Sequence, residues 1–231
     1  MASRGRDTRK RPGGPGFFRL SSGRTGPALA VMLLAGSCGP AAAFTVSISA
    51  GNPKTVYLQV GLGSFTGLYN AGGTPGNNAT INKESVTVAA NAVGNGTAQA
   101  MTTDSPQTNS FYDNFVFCSV PQQLYIGGFY RTTGGGGSGS VSVTATVPAS
   151  LANATGNTIA FSQISWTSSG NGDTGGQPFP AGTFTGGAVQ TIGTIAQNQW
   201  AESCWTFSYK NTVTPPAGTY TGRVLYTLTA P

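Results

Sequence analysis

The chain has 231 residues, a formal charge of +6 and no histidine. Without histidine, a Ser-His-Asp triad, a Cys-His pair and an imidazole metal ligand are all excluded. The positive charge does not indicate a nucleic-acid partner, because seven basic residues and one acid lie before residue 44, whereas residues 44–231 carry five basic and five acidic side chains. We therefore expect a neutral folded part with no nucleic-acid partner, metal or other cofactor.

The first 43 residues have the order of a secretory signal peptide. A basic region precedes the apolar run PALAVMLLAG, and Ala41 and Ala43 occupy the small-residue positions before a cleavage site. We predict cleavage between Ala43 and Phe44, and export to the periplasm, the cell surface or the medium. The apolar run is shorter than the roughly 20 residues that a membrane helix requires, so we expect no transmembrane anchor.

Apolar and polar residues alternate through the rest of the chain, and no stretch has a sustained helical period. This period of two is typical of β-strands with one buried face. Segments rich in Gly, Pro and Asn separate about ten such strands, which predicts an all-β fold, an antiparallel immunoglobulin-like sandwich with one solvated face per sheet. The most regular stretches are FTVSISA (44–50), TVYLQVGL (55–62), SVSVTATV (140–147) and the closing YTGRVLYTLT (220–229).

We expect residues 44–231 to form a single domain; the alternative is two smaller domains joined by the GGGGSG run at 134–139. The closing strand is predicted to belong to the core. Its buried face would consist of Tyr220, Val224, Tyr226 and Leu228.

Two cysteines, Cys118 and Cys204, remain after the predicted cleavage. In an exported chain we expect them to form a structural disulfide, with two buried free thiols as the alternative. Cys38 would leave with the signal peptide, unless the LAGSC segment directs its lipidation.

No arrangement of residues predicts an enzyme. A carboxylate-based hydrolase would depend on Asp113, which aromatic residues flank in SFYDNFVF, but no second acid pairs with it. A carbohydrate-binding surface would need exposed aromatic side chains for stacking. The candidates for such a surface are Trp166, Trp200, Trp205, Phe111, Tyr112 and Tyr130.

The C-terminal stretch CWTFSYKNTVTPPAGTYTGRVLYTLTAP resembles the secreted spore coat protein U-like domains of bacteria. Those domains end in a Pro-Ala-Gly-Thr-Tyr motif followed by an alternating strand, and residues 216–220 of this chain match the motif. Part of that family is similar to the archaic chaperone-usher pilins, which polymerise by donating an N-terminal strand into the incomplete sandwich of the next subunit.

The resemblance implies an exported, non-enzymatic structural protein, a pilus-like or coat-like surface subunit that associates with itself or with chaperone and usher partners. The donated strand would be FTVSISA, with Phe44, Val46 and Ile48 on its apolar face. The alternative for this strand is that it pairs within its own sandwich. The alternative for the function is a secreted or cell-surface module that binds a carbohydrate or another ligand.

Overall fold

The computed structural model describes residues 45–51, 54–133, 139–170 and 175–229, so the predicted signal peptide and its cleavage site, Ala43 and Phe44, lie outside the described residues. Within these ranges there are sixteen β-strands, three short 3-10 helices and no α-helix. No helix in the described part is long and apolar enough to cross a membrane. All strand pairs are antiparallel, which confirms the predicted all-β antiparallel class.

The strands of the first half are β1 (Thr45–Ser47), β2 (Thr55–Val60), β3 (Phe65–Thr66), β4 (Thr74–Pro75), β5 (Glu84–Ser85), β6 (Gln99–Ala100), β7 (Thr102–Thr103) and β8 (Leu124–Arg131). Those of the second half are β9 (Ser140–Val147), β10 (Ser150–Ala152), β11 (Thr158–Ala160), β12 (Ile164–Ser169), β13 (Gly182–Thr183), β14 (Ala188–Ala196), β15 (Gln199–Tyr209) and β16 (Leu225–Thr229). The 3-10 helices are Tyr69–Ala71, Ala90–Ala92 and Phe161–Gln163.

The larger sheet is built around β15, the longest strand, and has the order β13-β12-β15-β8-β2. On one edge of β15, residues 204–209 pair with β12 and residues 199–201 pair with β1. On the other edge, residues 199–203 pair with β8 and residues 208–209 pair with β6. The length of β15 therefore lets it hold two strands end to end on each side.

The smaller sheet has the order β14-β9-β16 and packs face to face on the larger one. Its central strand β9 buries Val141, Val143, Ala145 and Val147, as its alternation predicts. The main core lies between the two sheets, where Ile126 and Trp205 of the larger sheet join the same cluster as the buried residues of β9. The sandwich predicted from the sequence is therefore the architecture of the described residues.

The larger sheet departs from the prediction of one solvated face. Trp200, Glu202 and Cys204 point away from the main core, yet each is at most 1 % exposed. Residues 65–69 and 111–118 cover this outer face with aromatic side chains and one half of a disulfide, and both segments belong to the excursion between β2 and β8, residues 61–123. Alternation within a strand cannot reveal this cover, because a remote segment of the chain provides it.

Candidate functional site

The free edge of β16 is the first candidate site. The strand pairs with β9 on one side, and among the described strands it has no partner on the other. Unpaired backbone N–H and C=O groups along a strand edge can accept a further strand. The free edge of β16 is therefore a candidate for strand addition.

The inward face of β16 is apolar but incompletely covered. The four residues predicted for it, Tyr220, Val224, Tyr226 and Leu228, all pack against the main core, and all are only half-buried. Tyr220 and Val224 precede the strand itself, and the Tyr220 hydroxyl donates to the carbonyl of Pro216 at 2.8 Å, which fixes the turn before the strand. These four side chains face the main core, and their coverage is partial because β16 lies at an edge.

A second free edge lies close to the first. Strand β2 pairs with β8, has no other partner among the described strands, and approaches β16 to within 8 Å between Cα atoms. Its inward residues Leu58 and Val60 are half-buried, like those of β16. One side of the sandwich, which we call the open side, is thus bordered by the free edges of β2 and β16.

The segment before β5 returns to the end of β2. The chain leaves β2 at Gly61 and returns at Asn82, whose Oδ1 accepts a 2.6 Å hydrogen bond from the backbone N–H of Leu62. Gly61 has φ of +79°, and a Cβ there would lie 2.3 Å from Oδ1 of Asn82, so the crossing needs glycine. Strand β5 then begins at Glu84 and pairs with β7 in a separate two-stranded sheet.

The predicted donor strand lies elsewhere in this chain. Phe44 is outside the described residues, whereas Val46 lies opposite Trp200 in the register of β1 with β15. Val46 and Ile48 both pack against the aromatic cluster on the outer face of the larger sheet. This pairing covers three residues, and the neighbour of the closing strand is β9 rather than the N-terminal strand.

The second candidate site is the carboxylate of Glu202, which is 0 % exposed. Its Oε2 accepts hydrogen bonds from the Ser110 hydroxyl at 2.8 Å, the Trp200 indole N–H at 3.0 Å and the Tyr125 hydroxyl. Its Oε1 has no hydrogen-bond partner among the described residues. Burial raises the pKa of Glu202, although the three donors favour the charged form and oppose that rise.

Gly127 makes room for this cluster. It lies directly opposite both Glu202 and Gln59 in the registers of β8 with its two neighbours. A Cβ at this position would stand 2.6 Å from the Tyr125 hydroxyl oxygen, so any side chain would displace that hydroxyl. The absence of a side chain at Gly127 is therefore what allows Tyr125 to reach Glu202.

Residues 110–118 form a loop that is anchored to β15 at both ends. Ser110 is bonded to Glu202, and Cys118 forms a disulfide with Cys204, two residues further along the same face of β15. The predicted disulfide is confirmed, with an S–S distance of 1.93 Å. The loop is thereby fixed to the most deeply buried strand of the molecule.

The tip of this loop exposes two apolar side chains. Phe115 is 71 % exposed and Val116 is 64 % exposed, in a chain whose other large apolar side chains are mostly buried. The backbone around them is ordered by hydrogen bonds from Asn114 N–H to the Ser110 carbonyl and from Ser110 N–H to the Phe115 carbonyl. We call residues 110–118 the anchored loop.

The aromatic residues predicted to stack on sugars, and Asp113, lie in the core or in hydrogen-bonded turns. The three tryptophans and Tyr130 are at most 4 % exposed, so none of them can stack on a sugar at the surface. Asp113 is half-buried in the anchored loop, where its Oδ1 accepts the backbone N–H of Phe115 at 3.0 Å. Phe111 and Tyr112 are half-buried and stack on residues of the excursion.

Sequence reasoning missed both glutamates of these sites, Glu84 and Glu202. The sequence contains a pattern that could have predicted their burial. Trp200 and Cys204 lie two residues before and after Glu202, and Val86 and Val88 lie two and four residues after Glu84. An acid in register with apolar neighbours lies on the buried face of its strand.

The chain was compared with family models, curated proteins and solved structures, and none of them matches it. The resemblance to spore coat protein U-like domains stays a prediction.

Proposed function

We propose that this chain is an exported structural subunit of a surface fibre or coat, and that subunits join by strand addition at the free edge of β16. The observation that carries the proposal is the open side of the sandwich, where two free strand edges border an apolar, half-buried surface. A strand from another molecule would satisfy the free backbone groups of β16 and cover Val224, Tyr226 and Leu228.

The strand donated in this proposal is the segment 44–50. Its alternation matches that of the face it would cover, since Val46 and Ile48 lie on one side and Ser47 and Ser49 on the other. Within its own chain the segment is held by a pairing of three residues, which is short compared with the eight-residue pairing of β14 with β9. Exchange from β15 of one molecule to β16 of another therefore breaks few backbone bonds.

A chain with a free apolar edge aggregates unless that edge is covered before assembly. The partner expected before assembly is accordingly a chaperone that adds a temporary strand to β16, followed by an outer-membrane or surface assembly factor. The disulfide between Cys118 and Cys204 supports assembly after export, because disulfides are typical of oxidising compartments outside the cytosol.

Electron microscopy of the purified chain starting at Phe44 tests the proposal. Fibres are expected for the intact chain and for the Ser47→Ala/Ser49→Ala control, which keeps the apolar face of the segment. They should be absent from a chain lacking residues 44–50, and circular dichroism should show that this chain is still folded. A monodisperse monomer for the intact chain would contradict the proposal.

The anchored loop favours a second candidate function, a secreted or surface-attached binding module. Phe115 and Val116 are exposed on a loop held at both ends, and a rigid presentation reduces the entropy lost on binding. The unmodified chain should be retained on glycan arrays or on a hydrophobic matrix. Loss of this retention in Phe115→Ser/Val116→Ser would support the binding function. Equal retention of that variant and the unmodified chain would exclude the loop as the contact.

A further inference from the structure

Residues 84–88 lie on the open side as an edge strand that is packed but only partly paired. Glu84, Val86 and Val88 are half-buried, whereas Ser85 and Thr87 between them are exposed. Val86 and Val88 pack against the main core. The segment therefore has the alternation of a strand with its apolar face turned inward.

The backbone of this segment is attached at its beginning alone. Glu84 and Ser85 pair with Thr103 and Thr102 in β7, but residues 86–88 form no backbone hydrogen bond with another described residue. Side-chain packing holds that half of the segment. Its detachment would therefore expose apolar surface without breaking a ladder of backbone bonds.

Glu84 is the polar residue at the attached end. Its Oε1 is buried and has no hydrogen-bond partner in the described part of the chain, while its carboxyl group interacts with the Thr103 side chain. A buried oxygen without a partner carries an unfavourable desolvation free energy, which increases strongly when the group is charged.

Among the residues that the structure describes, no cation faces Glu84. Thr103 of β7 contributes a hydrogen bond, the carboxylate of Asp104 repels a negative charge, and Tyr226 of β16 is close enough for the charge of Glu84 to raise the pKa of its hydroxyl. Lys83 is exposed and attracts Asp104 rather than Glu84. Burial raises the pKa of Glu84 to about 7, and Asp104 adds to that rise.

We propose that Glu84 is a proton-controlled latch on the open side of the sandwich. While its carboxyl group is neutral, residues 84–88 stay packed against the main core, and ionisation releases residues 86–88 and uncovers Tyr226. That release would open the edge to an incoming strand, and this last step rests on the proposed function. The opening itself is a property of the single chain.

Thiol labelling of monomeric chains that carry Val86→Cys, measured between pH 5 and pH 8, tests the latch. Comparison with Val86→Cys/Glu84→Gln at each pH cancels the intrinsic pH dependence of the thiol reaction. The introduced thiol should react equally in the two proteins at pH 5 and at least about tenfold faster with Glu84 present at pH 8, because a shift of one pKa unit is a factor of ten. Val86→Cys/Lys83→Gln, which changes the exposed neighbour, should behave like Val86→Cys alone.

Equal labelling of the two proteins at pH 8 would overturn the latch, even if fibres form. Absence of fibres with a pH-dependent release of residues 86–88 would overturn the strand-addition proposal and leave the latch. Val88→Ser provides a check that release is measurable. Added to Val86→Cys/Glu84→Gln, it loosens the packing in a chain without a titratable group at position 84, so it should raise the labelling rate by the same factor at pH 5 and pH 8.

Discussion

The hydroxyl of Ser110 donates a 2.8 Å hydrogen bond to Oε2 of Glu202, 92 residues further along the chain. Glu202 lies on β15, at the centre of the larger sheet, and Ser110 begins the anchored loop. The excursion that covers the outer face is therefore attached to the most buried strand by a hydrogen bond to a buried carboxyl group as well as by the disulfide.

Ser110→Ala should destabilise the fold and loosen the anchored loop. The substitution removes one of three donors to a buried carboxyl group, and losing a partner of such a group costs about 1–3 kcal/mol. Urea unfolding measures the free energy, and hydrogen exchange at residues 111–117 measures the loosening. Ser119→Ala, at an exposed serine next to the disulfide, is the control and should change neither. Equal stability of both variants would show that the bond contributes nothing.

Gly127→Ala should be more harmful than a surface glycine substitution. The new Cβ would stand 2.6 Å from the Tyr125 hydroxyl oxygen, so that hydroxyl must leave Glu202. We expect a loss of at least about 2 kcal/mol in the free energy of unfolding, from overpacking and from the lost donor together. Gly176→Ala, where a Cβ would meet nothing within 4 Å, should be close to neutral. A neutral Gly127→Ala would contradict the role assigned to this glycine.

Reduction of the disulfide between Cys118 and Cys204 should increase the intact mass by two hydrogen atoms. The bond spans 86 residues, and closing a loop of that length in the unfolded chain contributes about 4–5 kcal/mol in the chain-entropy model. The double variant Cys118→Ser/Cys204→Ser should therefore unfold at a much lower urea concentration. An unchanged mass after reduction would show that Cys118 and Cys204 are free thiols.

The fold should become less stable as the pH rises from 5 to 8. The pKa of Glu84 is raised to about 7 in the folded state. The contribution of Glu84 to the free energy of unfolding is therefore fully present below its unfolded pKa and is lost as the pH rises through 7. Allowing for partial exposure, we expect a loss of about 2 kcal/mol from this residue. Ionisation of Glu202 also lowers the stability of the fold as the pH rises, because burial raises the pKa of this carboxyl group.

Urea unfolding at pH 5 and pH 8 measures this dependence. Glu84→Gln should lose less stability over that range than the unmodified chain, and the difference between the two proteins isolates Glu84. Asp104 does not interfere, because hydrogen bonds from Lys83 N–H and Asn82 lower its pKa and place its titration below this window. An identical loss in both proteins would contradict the assigned environment of Glu84.

The parts of the fold that follow from local alternation could be predicted from the sequence. The buried face of β9 and the inward orientation of Tyr226 and Leu228 are examples, because each depends on the period of two within one strand. The disulfide was predicted from the two cysteines left after the predicted cleavage, on the premise that the chain is exported. These features need no knowledge of which strands are neighbours.

The candidate sites could not be predicted in the same way, because each depends on contacts between distant segments. Glu202 is buried because residues 65–69 and 111–118 fold back over its face of the sheet, and Glu84 meets Tyr226 across 142 positions of the chain. The free edge of β16 is a property of strand order, which the alternation within a strand does not contain. Such features depend on the three-dimensional arrangement of the strands and become visible only in the structure.

Hydrogen exchange tests strand addition at β16 directly, because an added strand protects the amides of that edge. The chain starting at Phe44, with its own β1 in place on β15, is mixed with a synthetic peptide of residues 44–50. We predict new protection of the β16 amides, residues 225–229, which a peptide carrying Val46→Asp and Ile48→Asp should not produce. Unchanged exchange at residues 225–229, or protection confined to residues 199–201 of β15, would contradict the claim.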